Sequence, residues 1–251
     1  MKLFVHQLRT EQLLFWRNRE AAFFTFFLPV IFFLIFGAIY GDTDISSEHI
    51  KGSYFLEAGM IGYGVASTCF AGLGITLVVR RELGILKRVR TTPLTPLTYL
   101  SAVLGSIFIV FLFEAALIIL IGRVLFGVPF PTQAFSVLVV LLIGAVCFAA
   151  MGLGISGFVR SAEGSSAAIN AVYLPMAIIS GTFFTPKGYP TFLKVIADAL
   201  PLTHYTKVTR DVMVHGVHVW SDWKQLLVVL AWGIAGMLAA LKLFRWQPRE
   251  A

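Results

Sequence analysis

Few side chains in this 251-residue sequence stand where they could do chemistry. The sharpest is Glu114, well inside an apolar run, where insertion of an ionised carboxylate costs at least about 2.5 kcal/mol. Either it is protonated, or it faces a wet interior or a basic partner. A part in substrate passage and a buried structural hydrogen bond are both open at this point. Glu57 lies nearer the end of its own run, where water is expected to reach it. His204, His215 and His218 cluster loosely, the last two at i, i+3 spacing, but no carboxylate or cysteine completes a set, so no metal site is expected. Cys69 and Cys147 both lie in apolar runs and read as inert small hydrophobes, neither a disulfide nor metal ligands. Gly152-x-Gly154-x-x-Gly157 matches a dinucleotide fingerprint letter for letter, yet it follows no strand and opens no βαβ unit. With Ala145/Ala149 and Gly152/Ser156 at four-residue spacing it reads as close helix packing, as does the stripe Ala58, Gly62, Ala66. No G-x-x-x-x-G-K-[ST] occurs, so any ATP must be hydrolysed by a partner. No nucleophile–base pair can be assembled from spacing, and no catalytic residue is expected.

The elements that must position these residues follow from composition. The chain is 58% hydrophobic and 13% charged, against about 25% charged in soluble domains. Lipid is its natural solvent. The formal charge of +7 sits between apolar runs rather than on one face, which speaks against nucleic acid. An all-α polytopic fold with six transmembrane helices is expected, at about 21–40, 55–79, 100–122, 132–159, 166–185 and 225–243. The first run is long enough to span and lacks an A-x-A-like exit, so it reads as a retained span rather than a cleaved signal. The run 132–159 is longer than a straight crossing needs, and the run 166–185 holds Pro175 and is expected to be kinked or broken. Residues 1–20 read as a helix lying in the interface plane, with Phe4, Val5, Leu8, Phe15 and Trp16 on one arc; Leu13 and Leu14 lie off it, which keeps an irregular cytosolic tail open as the alternative.

Lys and Arg set the orientation. Thirteen fall in the N-terminal arm, the loop at 80–99, Arg160 and the C-terminal tail, against seven in the alternate loops, and the short alternate loops carry one each. Both termini are therefore expected in the cytoplasm and the chain in the cell's inner (plasma) membrane. Paired interrupted spans in two matching halves are not visible, which disfavours a secondary transporter.

Two polar segments carry most of the information. The loop 80–96 is basic and punctuated by Pro93 and Pro96, with Thr92 and Thr95 each able to start or cap a short helix. It either holds the orientation or docks a cytoplasmic partner. The segment 181–223 is too long for a plain connector. Phe192, Leu193, Ile196 and Leu200 recur there at helical spacing, which fits a short amphipathic helix folding into the outer leaflet or a water-exposed cap.

The patterns R-E-x-G-x-L-x-R-x-R-x-T-P at 81–93 and S-G-T-F-F-x-P…P…L-P-L-T at 180–203 resemble the permeases of type-2 ABC exporters. The likeness covers nearly the whole chain and is strongest to the drug-resistance and daunorubicin-type permeases. It implies one transmembrane domain over 1–251, paired with a second permease copy or paralogue and with cytoplasmic ABC ATPase subunits that bind ATP and Mg; this chain itself needs no cofactor. It places a coupling helix at 80–99, with Arg81, Glu82, Gly84, Arg88, Arg90, Thr92 and Pro93 facing the ATPase, and a second ATPase contact in 1–20. It makes 181–223 a re-entrant lid over the export path, with Phe183, Phe184 and Pro201 joining Glu114 and Glu57 as path candidates. The cargo implied is an amphipathic drug or lipid. A polysaccharide or lipid-linked glycan keeps the same architecture, and an ATP-independent ion-coupled carrier or channel using Glu114 is the reading from a different class.

Overall fold

The computed structural model describes residues 2–247, so Arg249, counted above in the basic tail, lies outside the described residues. Among the described residues the regular structure is helical except for a hairpin of two short antiparallel strands, β1 (Asp44–Ile45) and β2 (Ile50–Lys51). Helix α1 (Lys2–Arg17) is followed at once by α2 (Arg19–Tyr40), and Asn18 divides them because its side chain accepts from the Ala21 amide and caps the second helix. After the hairpin comes one long helix, Gly52–Glu82, built of α3 (Gly52–Gly64), a π-helical stretch (Val65–Gly72) and α4 (Leu73–Glu82). Then follow α5 (Ile85–Val89), α6 (Pro96–Phe126), α7 (Ala134–Phe158), α8 (Ala162–Ile179), α9 (Thr191–Ala199), α10 (Pro201–Met213) and α11 (Trp223–Leu243).

Five of these helices are long and apolar enough to cross a membrane: α2, Gly52–Glu82, α6, α7 and α11 with the short turn before it. Helix Gly52–Glu82 is the most buried of the five and forms the axis of the bundle. The expected fifth span differs. Helix α8 starts earlier than 166, ends at Ile179, and runs through Pro175 without a break. Its first half carries Glu163, Ser165, Ser166 and Asn170, which lowers its apolarity. At about 1.5 Å per residue its 18 residues rise roughly 27 Å.

Glycine decides where helices meet. A Cβ at Gly154 would lie 2.6 Å from the carbonyl oxygen of Gly236, and one at Gly152 would lie 2.6 Å from that of Phe70. Gly157 packs on Leu243 in the same seam. The 152–157 fingerprint is thus the notch by which α7 receives α11 and the π-helical stretch. Ala58 and Ala66 are fully buried, and Gly62 sits against Thr206 of α10.

Two local expectations change, while the short helix expected between the prolines is present as α9. The face of α1 turned to α6 is Phe4, Gln7, Leu8, Glu11, Gln12 and Phe15, whereas Val5 and Trp16 are exposed, so the expected arc is split. The cause is polar anchoring: Gln12 donates to the Ser106 carbonyl (2.9 Å), and Glu11 is buried. Thr95 caps α6 by accepting from the Thr98 amide, but Thr92 caps no helix; it donates to the Val89 carbonyl (2.7 Å) and closes a turn. On α9 the stripe Phe192 and Ile196 faces away from the bundle, and Ala197 is the buried residue.

Candidate transport path and docking corner

The turn from α4 into α6 is a rigid corner. Gly84 sits at φ 69°, the left-handed region that glycine adopts without strain, and lets α4 stop and α5 start at an angle. Leu86 anchors α5 in the core with no exposed surface. Two adjacent arginines hold the corner from below. Arg80 makes a bidentate pair with Glu11 (2.7 and 3.0 Å) and donates to the Tyr99 hydroxyl (2.8 Å), so it ties α4 to α1 and α6. Arg81, 1% exposed, donates to the carbonyls of Ser156 (2.9 Å) and Val159 (2.6 Å), the orphan acceptors at the end of α7. The residues beyond the corner face out: Arg88, Arg90, Thr92 and Pro93 are exposed, and Glu82 and Gly84 are half-buried. Of the seven coupling candidates, Arg81 alone is turned fully inward. Trp246 packs on Tyr99 (6.1 Å between rings), so the two termini of the described chain lie at this same end.

The opposite end is closed by the segment after α8. Ser180, Gly181 and Thr182 leave the helix while still buried, so their freed carbonyls need donors. Helix α10 supplies them: Thr206 donates to the Ser180 carbonyl (2.9 Å) and Arg210 to that of Gly181 (3.0 Å). Arg210, 4% exposed, also lies over the Phe55 ring (3.8 Å). The Thr182 carbonyl rests on Gly59, where no side chain would fit. The turn between α9 and α10 reaches deep: the Trp232 indole, midway along α11, donates to the Ala199 carbonyl (3.1 Å), and Tyr205 sits against Gly144 and Phe148 of α7. At the surface Lys187 pairs with Glu48 (3.1 Å) and donates to the Ser47 carbonyl.

Between the two ends runs a groove of about 700 Å³ bounded by α1, α2, the π-helical stretch, α6 and α8. Its polar lining is uncharged in the middle (Thr25, Ser67, Thr68, Thr76, Asn170), and the Glu11–Arg80 pair stands at one mouth. At the other it is stopped by an aromatic cluster: Tyr63 and Tyr173 (5.7 Å), with Phe183 against Tyr63 (6.0 Å), Phe32 (5.8 Å) and Phe36 (5.3 Å). Phe183 therefore belongs to this closure. Phe184 touches its edge at Phe36 and is largely exposed, and Pro201, buried, opens α10.

Glu114 is 2% exposed and accepts from the Thr68 hydroxyl (2.8 Å), with Gly64 cut away to admit it; Thr68, not Glu114, lines the groove. Glu57 corrects the expectation of water access: it is 2% exposed and nests on Gly122 of α6. The two carboxylates are reciprocal, each on one helix of the α3–α6 pair and each seated on a glycine of the other. Sequence reasoning missed Glu11, Arg80, Thr68, Thr206 and Arg210. Leu8, Glu11 and Phe15 at helical spacing, and Thr206 with Arg210 at i, i+4, were the available signals. His215 lies 3.9 Å from the Asp211 carboxylate, and no group of three metal-ligating side chains converges among the described residues.

A bundle of apolar helices with a polar groove, a basic corner and a folded-back closure is the arrangement of a membrane permease. The chain belongs to the ABC-2 type transporter family, whose model matches residues 3–214. It is 24% identical over 234 residues to the putative transport permease YvfS of Bacillus subtilis (strain 168), covering 92% of each chain. It is 25% identical over 233 residues to the daunorubicin resistance ABC transporter permease protein DrrB1 of Streptomyces coeruleorubidus, covering 89% of this chain and 78% of that one. A shorter stretch of 112 residues is 32% identical to ABC transporter G family member 20 of Dictyostelium discoideum, 43% of this chain and 15% of that protein. The protein is thus a multi-pass membrane transport permease of the ABC-2 type.

Proposed function

We propose that this chain is the transmembrane subunit of an ATP-driven exporter, paired with a second permease copy or paralogue and driven by separate cytoplasmic ATPase subunits. The observation that carries this reading is the corner at 82–93. A short helix with exposed Arg88, followed by exposed Arg90, hangs on the end of α4, which Arg80 and Arg81 tie to α1, α6 and α7, so force passed to α4 reaches three helices at once. An exposed surface loop has no need of that bracing.

In this reading the corner and both termini face the cytoplasm, and α8 with the buried stretch 180–182 completes a sixth crossing. The groove is one half of the path for an amphipathic cargo, and a second copy closes its open side. Phe183 and its aromatic neighbours form the outer stop, and the segment 181–223, which carries Phe183 at its start and the α9–α10 hairpin after it, is the re-entrant lid. When the ATPases close, the corner tilts α4 and α6, the groove narrows from the Glu11–Arg80 mouth, and the aromatic stop parts. ATP hydrolysis takes place on the partner.

The test is coupled transport by the reconstituted complex. Glu82→Ala with Arg88→Glu should weaken ATPase co-purification or leave ATP hydrolysis running without transport. Unchanged coupled transport would contradict the assignment, and cargo or ion flux through the lone chain without ATP would favour the carrier class instead.

A further inference from the structure

A second recess, of about 750 Å³, opens between α7, α8 and α11, on the far side of α8 from the groove. Its floor is the close α7–α11 seam, where Gly154, Gly236 and Ala239 let the backbones approach, and its walls carry Ala168, Val172 and Trp232. Apolar concavity inside a membrane is filled by something, because its lining otherwise forfeits contacts. The recess is also directional. Arg160 lines one end and Trp232 the other. Leu243 packs on Gly157, so the end of α11 marks the level of Arg160. From Leu243 back to Trp232 is 11 residues, roughly 16 Å. That is about half of the ~30 Å hydrocarbon core, the depth of one leaflet.

We propose that this recess holds one acyl chain of an anionic phospholipid, whose phosphate is bound by Arg160. Charge selects the occupant. Arg160 forms no ion pair among the described residues, and exposed Lys242 and Arg245 lie at the same level at the end of α11. The nearby carboxylate is Glu163, exposed on the first turn of α8. The Ser161 hydroxyl already accepts from the Gly164 amide (3.2 Å), so the cation rather than the helix end supplies the recognition. A second copy seated on this face by two-fold symmetry would gather Arg160, Lys242 and Arg245 of both copies at one contact. A zwitterionic lipid also offers a phosphate, but it adds its own cation beside these three, whereas an anionic lipid adds only negative charge. The inference needs only the membrane-spanning helices and stands whether or not an ATPase docks at the corner.

The experiment uses the full-length chain with Trp232 as its single tryptophan, the other four replaced by Phe, reconstituted in phosphatidylcholine vesicles doped with chain-brominated phosphatidylglycerol or chain-brominated phosphatidylcholine. Bromine quenches indole at contact. Trp232 fluorescence should report about a fivefold preference for the anionic lipid, as expected for a basic residue close to an anionic headgroup. Arg160→Gln should bring the preference close to one, and Arg160→Lys should keep most of it. Ala168→Trp studied by native mass spectrometry, where the added ring fills the recess, should release co-purified anionic lipid. Equal quenching by the two lipids, or a preference unchanged in Arg160→Gln, would overturn the site. So would absence of quenching by either lipid together with a disulfide between copies through Ala168→Cys, which would make this face a copy–copy interface.

Discussion

The corner after α4 and the hairpin before α11 are both polar interruptions of an apolar bundle, but they use arginine differently. In the hairpin, Arg210 is spent wholly inside: it lies over Phe55 and donates to the Gly181 carbonyl. In the corner, the arginines divide. Arg80 and Arg81 point down into helix ends and a carboxylate, while Arg88 and Arg90 point away from the protein. The hairpin is irregular backbone made tolerable by internal donors, as lipid requires. The corner is a surface braced from beneath, with its outer arginines left exposed. Burial, not charge, separates the structural arginines from the outward pair.

That comparison can be broken by substitution. The largest losses should come from the inward set. Arg210→Ala leaves a buried carbonyl without its donor and removes a ring contact, and Arg81→Ala strips two carbonyls at the end of α7. Each should lower stability by roughly 3 kcal/mol or more, read as a fall in melting temperature in detergent. Arg80→Ala, which strands the buried Glu11 carboxylate, belongs to the same class, and Glu11→Gln made in the Arg80→Ala chain should restore part of the loss. Gly84→Ala tests the corner by geometry alone. No atom lies within 4 Å of the added Cβ, yet φ is 69°, so about 1–2 kcal/mol is expected from backbone strain. Thr68→Val removes the hydroxyl bonded to Glu114 and should cost roughly 1 kcal/mol, with a larger effect on transport if the groove is the path. The double variant Arg88→Glu, Arg90→Glu should leave stability within about 0.5 kcal/mol while cutting ATPase association at least tenfold in a pull-down titration. A melting temperature that fell as far as in Arg81→Ala would erase the distinction between the two sets.

Much of the layout was legible because apolar run length is a strong signal in lipid. The five long helices lie where the hydropathy runs lie, and the small-residue stripes at 58–66 and 145–157 are the helix contacts they were expected to be. The segment after Ile179 was harder. Its irregular backbone is satisfied by Thr206 and Arg210, more than 20 residues away, and spacing alone does not reveal a side chain bonded to a distant carbonyl. The same limit applied to Arg81. Its neighbours at 88 and 90 are indistinguishable from it in type, and only the end of α7 makes it internal. Glu57 was misread because depth along a helix was taken for exposure, whereas the Gly122 notch covers it. On α1 the hydrophobic arc misled because two polar residues, Glu11 and Gln12, occupy the packed face.

The central claim is that the ATPase seats on the outward half of the corner. Site-specific cross-linking in membranes tests it most directly, with single cysteines at Arg88 on α5 and at Lys187 at the far end of the molecule. The account predicts a cross-link to the ATPase subunit from Arg88→Cys that changes in yield with ATP, and none from Lys187→Cys. A cross-link from Lys187→Cys, or none from Arg88→Cys in a complex that still transports, would contradict it.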